Sequence, residues 1–526
     1  MRDYSKKISN TNDNTLSLLL AIGLLGLMLR LILLYHSSVW YDEAISIFFA
    51  KAKLTALIDF LKVDRGEPFY YILLKYWIRL FGDGEKACAS FSTLLSVANI
   101  FSIYFLAKYI FNKKIGLISA FLLAVNVLEL HNATNIRFYS LLNTLTILSY
   151  YSFFRMIKEN RFVWLYISIS ILGFYTHTYY GFVFLAQLMI VIIFYKDRFK
   201  NVIMPFCCIV GFYVPWLLTA WLDQLRNMLF FGTDLPKISG GIVGAFVVFG
   251  KSIFWKIIPI LRLSFYGSIL VLVCLVFFAL FAISIKINKG RVSQNIYTLS
   301  VLIVSYIFLV GAPIFISTIK PIYLITRYDI IGLAPLLICV AFLIEKLYTL
   351  KAQIFYITLI IMFLLCIPNL RYKICDKLDG DRATVMQLKD ILTEKDVVIY
   401  TARSYYAAEY YFQQLKIPSK YRYFFPKTLT QYPLITHETY YADKEDELRK
   451  EARALADLLV RDDIGRIVLF YSDQPEGMTL DPGHQIVEYV KAALDEHFFI
   501  EHEIKVPAHA WGPLYNRVLI YNKRHM

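Results

Sequence analysis

The sequence predicts a mainly α-helical, polytopic membrane protein. It should form a transmembrane bundle of about eleven spans, with interfacial helices in the first outer loop and a C-terminal soluble α/β domain. Three observations predict this. Of 526 residues, 58% are hydrophobic and only 18% charged, where soluble domains sit nearer half and a quarter. Apolar runs of roughly 18 or more residues recur, each long enough to cross a hydrocarbon core. Clusters of Lys and Arg alternate along the chain with loops rich in carboxylates and aromatics.

The formal net charge of +15 would suggest nucleic acid in a soluble chain. Here cytoplasmic loops account for the basic residues, and no recognisable nucleic-acid module accompanies them, so nucleic acid is not an expected partner. Six of the seven cysteines lie in apolar segments and none forms a CxxC pair. Neither a disulfide framework nor a zinc site is indicated.

The first apolar run, Leu16 to Tyr35, is long for a signal-peptide core and lacks a small-residue cleavage site, so it reads as a retained first span. Lys6 and Lys7 precede it. A second span at about 86–107 is followed by Lys108, Lys113 and Lys114, and a fourth at about 138–157 by Lys158 and Arg161. Lys196, Arg198 and Lys200 follow the sixth, Lys286, Lys289 and Arg291 the eighth, and Lys346 and Lys351 the tenth. Placing these clusters inside gives a multi-pass protein of the plasma or inner membrane with a cytoplasmic N-terminus. Loops 36–85, 129–137, 177–180, 223–262 and 318–328 then face outward. Beyond Pro368 the chain turns polar. Residues 1–369 form the transmembrane domain in this reading, and 370–526 an extracytoplasmic domain. "DVVIY" and "RIVLFY" read as strands; "DKEDELRKEARALADLLV" and "HQIVEYVKAALDEHF" read as amphipathic helices.

The first outer loop carries the chemistry. "SVWYDEAISIFF" sets Asp42 and Glu43 side by side where a span surfaces. Ile45, Phe48, Phe49 and Ala52 form one helical face, and Leu54, Leu57, Ile58 and Leu61 repeat the spacing. Both helices are too short to span and should lie at the interface. Pro68 suits the first turn of a third helix and biases Glu67 toward extended backbone. Adjacent carboxylates on a helix diverge by about 100°. Asp42, at the helix start, is the candidate catalytic base, the plain alternative being a helix N-cap. Glu43 reads as solvated or paired with a lysine, and with Glu67 it is a candidate acceptor or metal ligand.

Such a shelf suits a lipid-linked sugar phosphate, whose tail lies in the bilayer and whose sugar sits at its surface. A carboxylate there can take the proton of an acceptor hydroxyl, and arginines can hold the departing phosphate. Arg137 in "NATNIRFYSLL" and Arg327 in "KPIYLITRYDIIGLAPLL" stand at the outer starts of spans. They are the candidate phosphate binders, with snorkelling as the alternative. His177 in "YTHTYYGF" is a candidate metal ligand or acceptor contact, or a structural hydrogen-bonder. Glu129 and His131 read as structural. A divalent cation, Mg2+ or Mn2+, is the candidate cofactor, held through carboxylate oxygens.

Taken in order, the span followed by "WYDEA", the segment "EPFYYILLKYWIRLFG" followed by Glu85, "RFYSLL", "HTYYG" and "RYDIIGLAPLL" resemble the polytopic GT-C glycosyltransferases. That superfamily includes protein O-mannosyltransferases and bacterial lipid A aminoarabinose transferases. The resemblance runs over about residues 16–370. It implies a polyprenyl-phosphate sugar donor, a glycan, lipid or protein acceptor outside the membrane, and an essential first-loop Asp, here Asp42. It also implies that Arg327 holds the donor phosphate. The chain has "GEP" where many members have "HPP". A transporter or flippase of lipid-linked glycans is the alternative; it would show repeated halves and polar or broken helices at the midplane. "GAFVVFGKS" lacks the glycine spacing and strand–loop–helix context of a phosphate loop. The stripe "SYYAAEYYF" reads as core.

Overall fold

The structure is a computed structural model that describes residues 14–64, 66–222, 238–257, 294–323, 327–376, 380–401, 404–427, 444–461, 463–473, 482–507 and 515–524. The membrane part runs through α1 (Thr15–Tyr35), α2 (Tyr41–Lys51), α3 (Leu54–Asp64), α4 (Pro68–Phe81), α5 (Glu85–Ile110), α6 (Lys113–Ala124), α7 (Val127–Asn132), α8 (Tyr139–Glu159), α9 (Val163–Phe174) and α10 (Tyr180–Phe194). It continues with α11 (Phe199–Trp216), α12 (Gly241–Ile257), α13 (Gln294–Tyr306), α14 (Ala312–Ile316), α15 (Leu333–Leu350), α16 (Ala352–Leu364) and α17 (Cys366–Asp376). The C-terminal part comprises α18 (Gly380–Lys389), β1 (Val397–Thr401), α19 (Tyr405–Gln414), β2 (Tyr421–Phe425), α20 (Glu445–Leu459), β3 (Ile467–Asp473), α21 (Pro482–Asp495), β4 (Phe498–Pro507) and β5 (Tyr515–Lys523).

Among the described residues, five helical stretches are long and apolar enough to cross a membrane: 15–35, 85–110, 196–221, 294–316 and 328–348. Shorter apolar helices occupy 163–174, 180–194, 241–253 and 352–368. The protein is therefore a multi-pass membrane protein. The eighth span expected from the sequence, just before Lys286, lies outside the described residues.

The chain divides into two compact units. The first comprises residues 1–34, 92–214 and 234–370. Its helix ends follow from local chemistry. The Asn112 side chain accepts the Ile115 N–H at 3.0 Å and starts α6, and Asn126 accepts the N–H groups of Leu128 and Glu129 and starts α7. Asn160, left-handed at φ 54°, ends α8. Gly173 lets α9 and α10 meet, since an added Cβ would sit 2.3 Å from the Tyr180 ring. A polar chain ties these helices to α8: Tyr166 Oη donates to Gln187 Oε1 at 2.8 Å, and Gln187 Nε2 donates to Ser149 Oγ at 2.9 Å. Buried amides and hydroxyls thereby satisfy one another.

The second unit comprises residues 35–91, 215–233 and 371–526. It joins the segment that follows α1 to the C-terminal part. The expected strands and amphipathic helices are β1, β3, α20 and α21. They belong to a mixed five-stranded sheet of order β2-β1-β3-β5-β4, in which β1 runs parallel to β2 and β3 while β5 is antiparallel to β3 and β4. Its core takes Val397 and Ile399 of β1, Ile467 and Leu469 of β3, Leu448 and Leu459 of α20 and Val487 and Val490 of α21. The stripe 404–412 forms α19, with Tyr406, Tyr410, Tyr411 and Phe412 buried.

Candidate active site

Asp42, Glu43 and Glu67 lie in the second unit, and Arg137, His177 and Arg327 in the first. In the second unit, α2 opens at Tyr41 and the capping position is Trp40, not Asp42. Asp42 stands half-buried in the first turn of α2. Its own carbonyl accepts the Ser46 hydroxyl at 3.0 Å. Glu43, expected to be solvated or paired with a lysine, is instead fully buried. One of its oxygens accepts the Trp40 N–H at 3.3 Å, so it closes the helix start from within. The sequence could not show this, because the side chain's direction is set by burial of the helix face.

The remaining shelf follows its sequence signals. Glu67 is extended at φ −106° and ψ 150°, Pro68 opens α4, and the Glu67 side chain is buried. The α2 helix is wedged in place. Phe49 stacks on Phe60 of α3 at 5.5 Å and meets Tyr71 of α4 edge-on at 5.4 Å. Lys75 of α4 donates to the carbonyls of Ala50 and Ala52, meeting the C-terminal end of α2 with positive charge. Lys51 pairs with Asp83 at 2.6 Å.

In the first unit an aromatic stack links the segments that carry the arginines. His177 sits in the turn between α9 and α10, with its ring on Phe138 at 4.1 Å and 29°. Tyr328 lies 5.5 Å from it and stacks on Tyr179 at 4.2 Å and 18°. The Arg137 guanidinium stands 5.4 Å from the centroid of Phe138, and Arg327 immediately precedes Tyr328. His177 Nδ1 accepts the Tyr179 N–H at 3.0 Å, which leaves Nε2 to carry the proton of the neutral ring. Burial first, and Arg137 second, hold its pKa well below the ordinary value. Among the described residues, no three His, Cys, Asp or Glu side chains gather as a metal site. The candidate divalent cation thus has no clustered ligand set there.

Two buried polar networks in the first unit escaped the sequence reading. Arg30 of α1, fully buried, donates through Nε to Ser96 Oγ at 2.8 Å, and Ser96 donates to Glu129 Oε1 at 2.7 Å. Asn99 and Asn143 complete the Glu129 carboxylate at 3.0 and 2.8 Å. Elsewhere, Lys256 of α12 lies 3.3 Å from Asp329, both side chains fully buried. Lys256 also donates to Ser252 Oγ and Tyr306 Oη, and Asp329 accepts from Ser252 and Tyr323. The available signal was an ionisable residue inside or at the start of an apolar run. "GAFVVFGKS" lies within α12 and is no loop.

Comparison with known proteins adds independent findings. Residues 64–222 match the family model described as dolichyl-phosphate-mannose-protein mannosyltransferase. Among curated protein sequences none matches. In fold, the chain is similar to ArnT from Cupriavidus metallidurans in the apo state, with a TM-score of 0.58 and 13% identity over 96% of this chain and 97% of that one. It is similar also to the same protein bound to undecaprenyl phosphate, with a TM-score of 0.57 and 12% identity over 97% and 98%. An Archaeoglobus fulgidus oligosaccharyltransferase in complex with Zn and sulfate matches at a TM-score of 0.48 and 11% identity, over 86% and 67%. The mannosyltransferase pattern thus covers residues 64–222, and nearly the whole chain shares the fold of the C. metallidurans protein.

Proposed function

We propose that the protein transfers a sugar from a polyprenyl-phosphate donor to an acceptor at the extracytoplasmic face, the acceptor being a glycan, a lipid or a protein. The observation that carries the reading is the half-buried Asp42 carboxylate, held in the first turn of a helix wedged between α3 and α4. Asp42 accepts the proton of the acceptor hydroxyl as that oxygen attacks the anomeric carbon. The bond from the anomeric carbon to the phosphate oxygen breaks, and polyprenyl phosphate leaves with the electron pair. Arg327 and Arg137, which immediately precede Tyr328 and Phe138 of the aromatic stack, hold the phosphate charge. The C. metallidurans protein bound to undecaprenyl phosphate supports this class of donor.

Glu67 is assigned to the acceptor. Glu43 is assigned to the helix start, because its buried carboxylate already takes the Trp40 N–H. His177 is assigned to positioning the stack. The alternation of basic loops supports about eleven spans, a cytoplasmic N-terminus, and a division into a transmembrane part, 1–369, and an extracytoplasmic part, 370–526.

The test is release of labelled sugar from a polyprenyl-phosphate donor by purified protein. Asp42→Asn keeps the side-chain shape and removes the base, so turnover should fall by roughly 10²- to 10⁴-fold with unchanged expression. Full turnover in that variant would remove Asp42 from the chemistry.

A further inference from the structure

The aromatic helix α19 belongs to the C-terminal part of the chain, yet one of its faces closes on the first outer loop within the second unit. Tyr406 meets Tyr41 edge-on at 5.9 Å and Phe48 at 5.3 Å. The Tyr410 hydroxyl donates to the Asp83 carbonyl at 3.0 Å. Tyr411 reaches furthest. Its hydroxyl accepts the Val39 N–H at 2.7 Å and donates to Glu85 Oε2 at 3.1 Å. Glu85 is fixed in turn by Arg382 at 2.9 Å.

Val39 is fully buried and belongs to the irregular segment between α1 and α2. A buried N–H outside regular structure needs an acceptor, and here a side chain from the far end of the sequence supplies it. Three residues later comes Asp42. We propose that Tyr411 is a positioning residue for Asp42: it pins the Val39 amide while Tyr406 braces Tyr41, and together they fix the first turn of α2. The inference rests on the reading of Asp42 as base. A general base acts only within roughly 2.6–3.2 Å of the proton it takes. A displacement of about 1 Å costs up to about a hundredfold in rate.

Tyr411→Phe keeps the ring and deletes the hydroxyl. In the full-length protein, hydrogen exchange of a peptide covering Val39 to Glu43 should quicken by about tenfold or more, while a peptide covering Val397 to Thr401 keeps its protection. Turnover of undecaprenyl-phosphate mannose should drop by about tenfold in kcat at unchanged donor KM, because placement of the base alters and donor binding does not. Tyr410→Phe, one residue away on the same helix, should leave the Val39 peptide as in wild type. Wild-type exchange in Tyr411→Phe would overturn the proposal. So would equal loosening in both variants, or faster exchange with unchanged kcat. If this donor is not turned over by the wild-type protein, the exchange comparison alone decides. Asp42→Asn, run alongside, separates the two ideas: an active Asp42→Asn sinks the base, whereas an inactive Asp42→Asn beside a wild-type Tyr411→Phe sinks only the positioning role.

Discussion

Replacing Lys256 by Met tests the buried ion pair directly. The ammonium lies 3.3 Å from Asp329 Oδ1 with neither side chain exposed. Met keeps the apolar stem and removes the charge and its donors to Ser252 and Tyr306, at 2.8 and 2.9 Å. The Asp329 carboxylate loses this ammonium and keeps the hydroxyls of Ser252 and Tyr323. Breaking a buried pair from one side costs roughly 3–5 kcal/mol, whereas replacing both partners by apolar groups is often close to neutral. Detergent-solubilised membrane proteins are expected to unfold irreversibly, so the suitable readout is the half-life of the monodisperse fraction at fixed temperature. If the cost falls on the unfolding barrier, roughly 3–5 kcal/mol shortens that half-life by about 10²- to 10⁴-fold. The double variant Lys256→Met/Asp329→Leu should recover to within about tenfold of wild type. A single variant as long-lived as wild type, or a double variant as short-lived as the single, would refute the assignment.

Two further outcomes follow from the geometry. Arg327→Lys keeps the charge and loses the planar two-donor fork, so donor KM should rise by about tenfold; a superimposable donor titration takes Arg327 out of the site. Burial raises the Asp381 carboxyl to about 7, against the 2.9 Å hydrogen bond from Asn516. An unfolded Asp ionises near 3.8, so between these values the folded state keeps a proton the unfolded state has lost. Stability contributed by this group therefore falls as pH rises through that window. Asp381→Asn, which keeps the hydrogen-bond partner, should flatten the decline in thermal melts between about pH 4 and 7, and parallel declines in both proteins would contradict this.

Much of the fold was legible because its signals are local. The spacing at Ile45, Phe48 and Phe49 gave α2, Pro68 gave the start of α4, and "DVVIY" and "RIVLFY" gave β1 and β3. The first-turn position of Asp42 and the extended backbone of Glu67 were legible for the same reason. What sequence could not show is convergence over distance. Glu43 looks like a surface acid until the buried face of α2 turns it back onto Trp40. Arg30 and Glu129 share Ser96 only after three helices assemble, and Lys256 finds Asp329 across an unrelated stretch of chain. The strands β4 and β5 pair with a shift between Ile500 and His502, which blurs the alternation that would have announced them. No periodicity connects "SYYAAEYYF" to the first loop. The stripe is core as expected, and part of that core is Tyr41 and Phe48.

The bond between Val39 and Tyr411 spans 372 positions. During synthesis the segment ahead of α2 emerges near the beginning, and the hydroxyl that receives its amide emerges near the end. The start of α2 therefore waits for residues made much later before it is fully held, however early its own residues are made. A nascent or prematurely terminated chain can occupy the bilayer while Tyr41 and Phe48 still lack the cover of Tyr406, and such an apolar surface offers a handle to quality-control proteases.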